Sequence, residues 1–265
     1  MLLFVSYRVS AQSFLGSRTS ALCSAELVSE KSILTATVCP ATLSRIKSSS
    51  IEVAYSPAPF GLQELKTFSF GASSNYSFAD IGLFVENYGY ELFAQNRVQV
   101  VLSRKLFDTI SVGFSLNWNS LKIENYGNAN SVQANFGLIA PLLKNLDIAF
   151  AAHNFTNSRI GSSDELLPSD YLLGVNYSVR DEYSIALSLQ KEISYPISLS
   201  FGTSFSLNNN LELLFGYNTN SSSLNGGCRI SFHDFNFDYS VSKHSELGYT
   251  HVFGLGASLS ELFKQ

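Results

Sequence analysis

From about residue 50 to residue 258, apolar and small polar residues alternate with a period of two, in runs interrupted by turn-forming residues. That period sends successive side chains to opposite faces of an extended strand, and the stretch carries no helical period. In the clearest run Ile110, Val112, Phe114, Leu116 and Trp118 share one face, opposite Ser111, Gly113, Ser115, Asn117 and Asn119. Ile197, Leu199, Phe201, Phe205 and Leu207 stand likewise against Ser198, Ser200, Gly202, Ser204 and Ser206. Strands are therefore expected at 50–56, 64–73, 75–86, 91–104, 108–120, 131–140, 145–153, 169–179, 182–192, 196–207, 210–218, 224–233, 235–242 and 249–258, fourteen in all.

The connections sort by parity. One set is tight: Ser74, 105–107, 141–144, 180–181, 208–209 and Asp234. The other holds every long connection, at 57–63, 121–130, 154–168 and 243–248, together with 87–90, 193–195 and 219–223. Long loops on one rim and tight turns on the other mark a transmembrane antiparallel up-and-down β-barrel, an order that a soluble sandwich has no reason to follow.

Composition sharpens that choice. Charged residues make up only 14% of the chain, against about 25% in soluble proteins, and the net charge is −4. This excludes a disordered chain or a coiled coil, and a nucleic-acid partner would require a cationic face that is missing. A water-facing sheet normally carries Lys, Glu and Thr, but here the polar face is mostly Ser, Gly, Asn and Gln, which suits an enclosed lumen. The apolar faces of the best strands are free of charge, as expected where Arg or Lys at a bilayer midplane costs about 2–4 kcal/mol. Tyr88, Tyr90, Trp118, Tyr126, Tyr195, Tyr217 and Tyr249 fall near the long-loop rim and Tyr177 and Tyr183 near the other, as interfacial girdles would.

Outside the repeating region, residues 1–12 read as a clipped secretory signal, a short apolar run leading to Val9-Ser10-Ala11-Gln12 with no basic segment before it. Residues 13–49 are Ser/Ala-rich and too few for a core of their own, so they are expected to form a luminal or periplasmic segment beside the 50–258 barrel, with 259–265 as a tail. No apolar run reaches the roughly 18 residues a membrane helix needs. Cys23, Cys39 and Cys228 are scattered and odd in number; a Cys23–Cys39 bridge is open, but small apolar fillers are the simpler reading.

None of the four histidines has metal-ligand spacing: His244 and His251 lie seven residues apart, and His153 and His233 end different hairpins. With so many serines a Ser/His coincidence carries no information, so no catalytic residue, metal or cofactor is expected and the chain reads as a non-enzyme. The informative polar residues are those that alternation turns inward: Arg97, Gln99, Asn117, Gln133, Asn135, Glu212, Arg229 and Asp238. A charge enclosed in a lumen needs a partner, so Arg97 or Arg229 is expected to pair with Glu212 or Asp238, lining a solute path, anchoring a plug or stiffening a filled barrel.

Three stretches resemble the PorV/PorQ-type outer-membrane proteins, relatives of the FadL-like barrels. They are Leu167-Pro168-Ser169-Asp170-Tyr171 with the strand that follows, the D-Y…E-L-G-x-T-H arrangement from Asp238 to His251, and Gly16-Ser17-Arg18 with the residues up to Cys23. Val38-Cys39-Pro40-Ala41-Thr42-Leu43 stands where that family shows N-P-A-G-L, with Cys39 replacing Asn and Thr42 replacing Gly. The resemblance implies a fourteen-stranded barrel in the cell outer membrane, with lipid around it and an N-terminal luminal segment. It also implies passage of a hydrophobic or small solute or, alternatively, a non-transporting anchor or shuttle subunit of a type IX-like secretion or surface-attachment complex.

Overall fold

A computed structural model describes residues 16–107, 109–159, 166–180, 182–193 and 195–259. The expected signal at 1–12 and the tail from residue 260 lie outside the described residues. Fourteen strands run in chain order as β1 (Ser50–Ser56), β2 (Thr67–Asn75), β3 (Asp80–Tyr90), β4 (Phe93–Leu106), β5 (Ile110–Ile123), β6 (Gly127–Leu143) and β7 (Leu146–His153). They continue as β8 (Asp170–Arg180), β9 (Tyr183–Glu192), β10 (Ser198–Asn208), β11 (Leu211–Asn218), β12 (Ser223–Phe232), β13 (Phe235–His244) and β14 (Gly248–Ser258). Each pairs antiparallel with its neighbours in sequence, and β1 pairs with β14 from Ser50↔Ser258 to Tyr55↔Phe253, so the sheet closes with no free edge. A two-sheet sandwich is thereby excluded.

The apolar faces point outward. Phe114, Leu199 and Phe201 are 40%, 50% and 42% exposed, which no protein core would allow, and outward Leu83, Leu102, Phe215, Phe237 and Phe253 are exposed likewise. An apolar surface this large, contiguous around a closed barrel, is stable only against hydrocarbon.

Register locates one edge of this belt. Val85, Val98, Trp118 and Val132 form an outward row across β3 to β6, and the next outward row is Asn87, Asn96, Ser120 and Asn130. Asn87 donates to Asn96 Oδ1 at 2.6 Å within that polar row. Past this line the pattern inverts, with Lys122 outward and Tyr88, Phe93, Leu121 and Ile123 turned in. The inversion explains two differences from the sequence-based expectation. The connection expected at 121–130 shrinks to 124–126, because β5 and β6 continue as strands after leaving the membrane, where polar residues belong outside. Tyr88, expected in the girdle, lies on the inner wall instead. The turn expected at Ser74 falls at 76–79, since β2 stays paired through Asn75↔Asp80. The connections at 57–66 and 154–169 remain the longest, and the described residues of both lie on the rim where β3 to β6 protrude.

The segment from Gly16 to Ser49 lies inside the barrel as a short helix, α1 (Ser17–Ala21), and two 3-10 turns at Ile33–Thr37 and Pro40–Arg45. Its Leu22, Leu27, Leu34, Val38 and Leu43 are fully buried: Leu34 and Leu43 cluster with inward Phe84, Val101 and Val252, Leu27 and Val38 with Ile139, and Leu22 with Leu214. Inward glycines make room for it. A Cβ on Gly113 would sit 2.2 Å from the Pro40 carbonyl carbon, and one on Gly216 would sit 2.6 Å from Ala21 O. These are backbone atoms that cannot rotate away, so Gly113→Ala should cost at least the 1–3 kcal/mol, roughly, of an ordinary overpacked core. A urea titration following protection of the Cys39 thiol checks this; an unchanged midpoint contradicts the close seating.

Candidate functional site

Two cavities flank the inner segment. The larger, about 630 Å³, lies toward the protruding rim and is bounded by Pro59 and Phe60, by Asn154, Leu167 and Pro168, by the inner walls of β3 to β6, and by Thr37 and Val38 beneath. The smaller, about 310 Å³, opens at the opposite rim between Lys31, Lys47, Glu52, Glu212 and Arg229.

The inward polar residues divide between these places. Glu212, Arg229 and Asp238 hold the inner segment. Arg18, 2% exposed, donates from Nε to Glu26 at 2.7 Å and from Nη1 to Glu212 at 2.8 Å, and Lys31 Nζ reaches the other Glu212 oxygen at 2.8 Å. Burial opposes the Arg18 charge, but the two carboxylates outweigh it and hold the guanidinium above its ordinary range. Arg229 grips Asp238 through both carboxylate oxygens, at 2.6 and 2.9 Å, and also donates to Lys31 O. Glu52 accepts from Ser32 Oγ at 2.8 Å and from Ile33 N at 2.9 Å. His153 Nε2 meets Val38 O at 2.6 Å while its Nδ1 faces Asp170 at 3.2 Å, and Asn225 donates to Ser20 O at 2.5 Å. Arg45 pairs with Asp147 at 3.3 Å. The segment is thus tied to strands from most of the circumference.

Arg97, Asn117, Gln133 and Asn135 line the larger cavity, and Gln99 lies directly beneath, donating to Ser115 Oγ at 2.9 Å. Asn135 Oδ1 receives the Asn154 backbone N–H at 2.9 Å, which fastens the start of the 154–169 loop. One of the expected pairings forms, Arg229 with Asp238; Arg97 instead pairs with Glu86 on β3, and Glu212 is claimed by Arg18 and Lys31. Glu52 and Glu86 sit at inward positions of their own strands and could have been found by alternation. Arg18 and Glu26 could not, because their segment has no strand period.

The motifs quoted from the sequence have identifiable work. Asp238 faces in to Arg229, whereas Tyr239 and His251 face out and hydrogen-bond each other at 2.8 Å, satisfying two polar groups on the lipid side. Thr250 Oγ1 accepts from Phe60 N at 3.1 Å, securing the 57–66 loop. Pro40 and Ala41 occupy the recess over Gly113 and Gly137. Thr42 donates to Leu27 O at 2.5 Å, which stitches the segment to itself. All three cysteines are free, without the Cys23–Cys39 bridge, and burial pushes the Cys39 thiol up to about 11.

No family model matches the sequence, and no curated protein matches it. Solved structures do. The toluene transporter TodX of Pseudomonas putida aligns with a TM-score of 0.65 at 12% identity, over 93% of this chain and 97% of its own. The CymD monoaromatic hydrocarbon channel aligns at 0.67 and 10%, over 92% and 97%, and a Pseudomonas aeruginosa FadL homologue at 0.62 and 11%, over 92% and 98%. At such identities the likeness is one of fold alone.

Proposed function

We propose that this chain is an outer-membrane channel that passes small hydrophobic or weakly polar solutes inward, with the segment from Gly16 to Ser49 as its plug. The observation that carries this reading is the cavity of about 630 Å³, walled by the protruding strands and floored by that segment. Its size suits a drug-sized or smaller ligand. Long loops face the exterior in bacterial barrels, so the cavity opens outward and the small cavity faces the periplasm. The fold neighbours described as a toluene transporter and a monoaromatic hydrocarbon channel support such a cargo. The resemblance to PorV/PorQ-type proteins is a finer assignment within the FadL-like fold, and it rests on the sequence motifs alone. An anchor or shuttle role in a secretion complex gains no support from neighbours described as transporters and channels.

Uptake of a labelled monoaromatic hydrocarbon tests the reading in Gram-negative cells that lack such channels. Cells carrying the barrel should accumulate it several-fold faster than cells without it. Equal rates, with the barrel folded in the outer membrane, would remove the proposal.

A further inference from the structure

We infer that the outer cavity selects a neutral amphipathic molecule, with its apolar or aromatic body at the mouth and a hydroxyl or amide head on the floor. The inference rests on the channel reading for its direction of use, and it goes further in naming what the cavity prefers.

Three rows of inward side chains, stacked down the wall, define a polarity gradient. The row nearest the mouth runs Tyr88, Gln95, Leu121, Ala129 across β3 to β6, with Phe93 and Ile123 above it. The Tyr88 and Phe93 rings meet edge to face with centroids 6.2 Å apart. The middle row is Glu86, Arg97, Asn119, Ser131, and the deepest is Phe84, Gln99, Asn117, Gln133, where the fully buried Phe84 on β3 and Gln99 lie beneath the cavity and Asn117 and Gln133 face it from β5 and β6. On β5 and β6 apolar side chains, Leu121 and Ala129, therefore give way to the amides Asn117 and Gln133 over two rows, a depth of about 14 Å at 3.4 Å per residue.

The charges on this wall are already matched. Arg97 is paired with Glu86, and His153 lies between Asp170 and the Val38 carbonyl, while Gln190 donates to the other Asp170 oxygen at 2.7 Å. An acid entering the cavity would have to compete with Glu86 for Arg97 or go unpaired, which a site of low dielectric penalises. The amides, by contrast, have capacity to spare. Asn117 Oδ1 is buried without a donor, and neither Gln133 nor Gln95 hydrogen-bonds another described residue through its side chain. Gln133 and Gln95 are half-buried and open to the cavity, so a head group that both donates and accepts can pair with their amides where a bare hydrocarbon cannot. One such hydrogen bond corresponds to about a tenfold preference.

The test uses three probes of one shape, 4-ethylphenol, ethylbenzene and 4-ethylbenzoate, titrated calorimetrically into the barrel in lipid nanodiscs at pH 7.5, with protein-free discs subtracted. The phenol should bind about tenfold more tightly than either the hydrocarbon or the acid, and in Asn117→Leu/Gln133→Leu it should fall to parity with the hydrocarbon. Heat-modifiable migration verifies that the double variant is folded, and Gln133→Ala, which should lose part of the preference, stands in if it is not. Hydrocarbon or acid binding as tightly as the phenol, or a preference that survives both variants, overturns the inference. Uptake of the same probes separates the two claims: equal uptake of all three, well above barrel-free cells, sinks the selectivity and leaves the channel. Preferential binding with no uptake sinks the channel and leaves the site.

Discussion

Arg18→Met should unseat the inner segment while leaving the barrel closed. The substitution removes a guanidinium that donates to two carboxylates, Glu26 and Glu212, in a setting where all three side chains are buried. Methionine fills most of the volume but leaves Glu26 with a buried charge and no cation, and breaking a buried pair in this way costs about 3–5 kcal/mol. Glu212 keeps Lys31, so the loss concentrates on the stretch between Arg18 and Glu26. The readout is Cys39. Its thiol is buried and pushed up to about 11, so at pH 8 it stays protonated and shielded in the native protein, whereas an ordinary thiol near about 8.5 reacts. Maleimide should therefore label Cys39 slowly in wild type and at least tenfold faster in Arg18→Met, and conductance in planar bilayers should rise. Replacing Arg18, Glu26 and Glu212 together by Met should restore much of the shielding, because an all-apolar cluster leaves no orphan charge and Lys31, half-exposed, can turn to water. Continued protection of Cys39 in the single variant would show that the ion cluster is not what holds the segment.

The contrast between barrel and inner segment also explains what could be read from the chain before folding. Each strand announces itself locally, since Phe114 and Ser115 go to opposite faces whatever lies across the sheet. The parity of the tight and long connections then orders fourteen such strands without any long-range information. The inner segment has no such property. Its 3-10 turns bury every face, so Ile33, Leu34, Thr35 and Ala36 are all buried in succession and no period survives. Its contacts are also remote in sequence, with Arg18 and Glu212 separated by 194 positions. Site residues followed the same division. Asn117 and Gln133 were legible as inward amides, while Arg18 could be seen only as part of a motif. The β5 extension escapes the pattern for a third reason: Leu121, Lys122 and Ile123 alternate with inverted sense, which looks like an end to the strand and is in fact the edge of the membrane.

That edge supplies a paired experiment on the whole assignment. Phe114 is the central outward residue of the β5 belt between Ile110 and Trp118, and Phe201 stands in the corresponding belt on β10, so an Arg at either position meets hydrocarbon near the midplane. Each substitution costs about 2–4 kcal/mol there, and the sites are on strands far apart, so the costs add. Phe114→Arg alone should lower the amount of heat-modifiable barrel in isolated outer membranes, and the double variant Phe114→Arg/Phe201→Arg should abolish it, the summed cost approaching the stability of an ordinary fold. Ser120→Arg provides the control. Ser120 is outward on the same strand as Phe114, but it lies in the polar row with Asn96 and Asn130, beyond the last apolar row. Near the interface an Arg costs only about 0–1 kcal/mol, so this variant should assemble at wild-type levels. If all three variants behaved alike, the outer face of β5 would not be crossing a bilayer where the register puts it; if the double variant assembled normally, the belt would not be facing lipid at all.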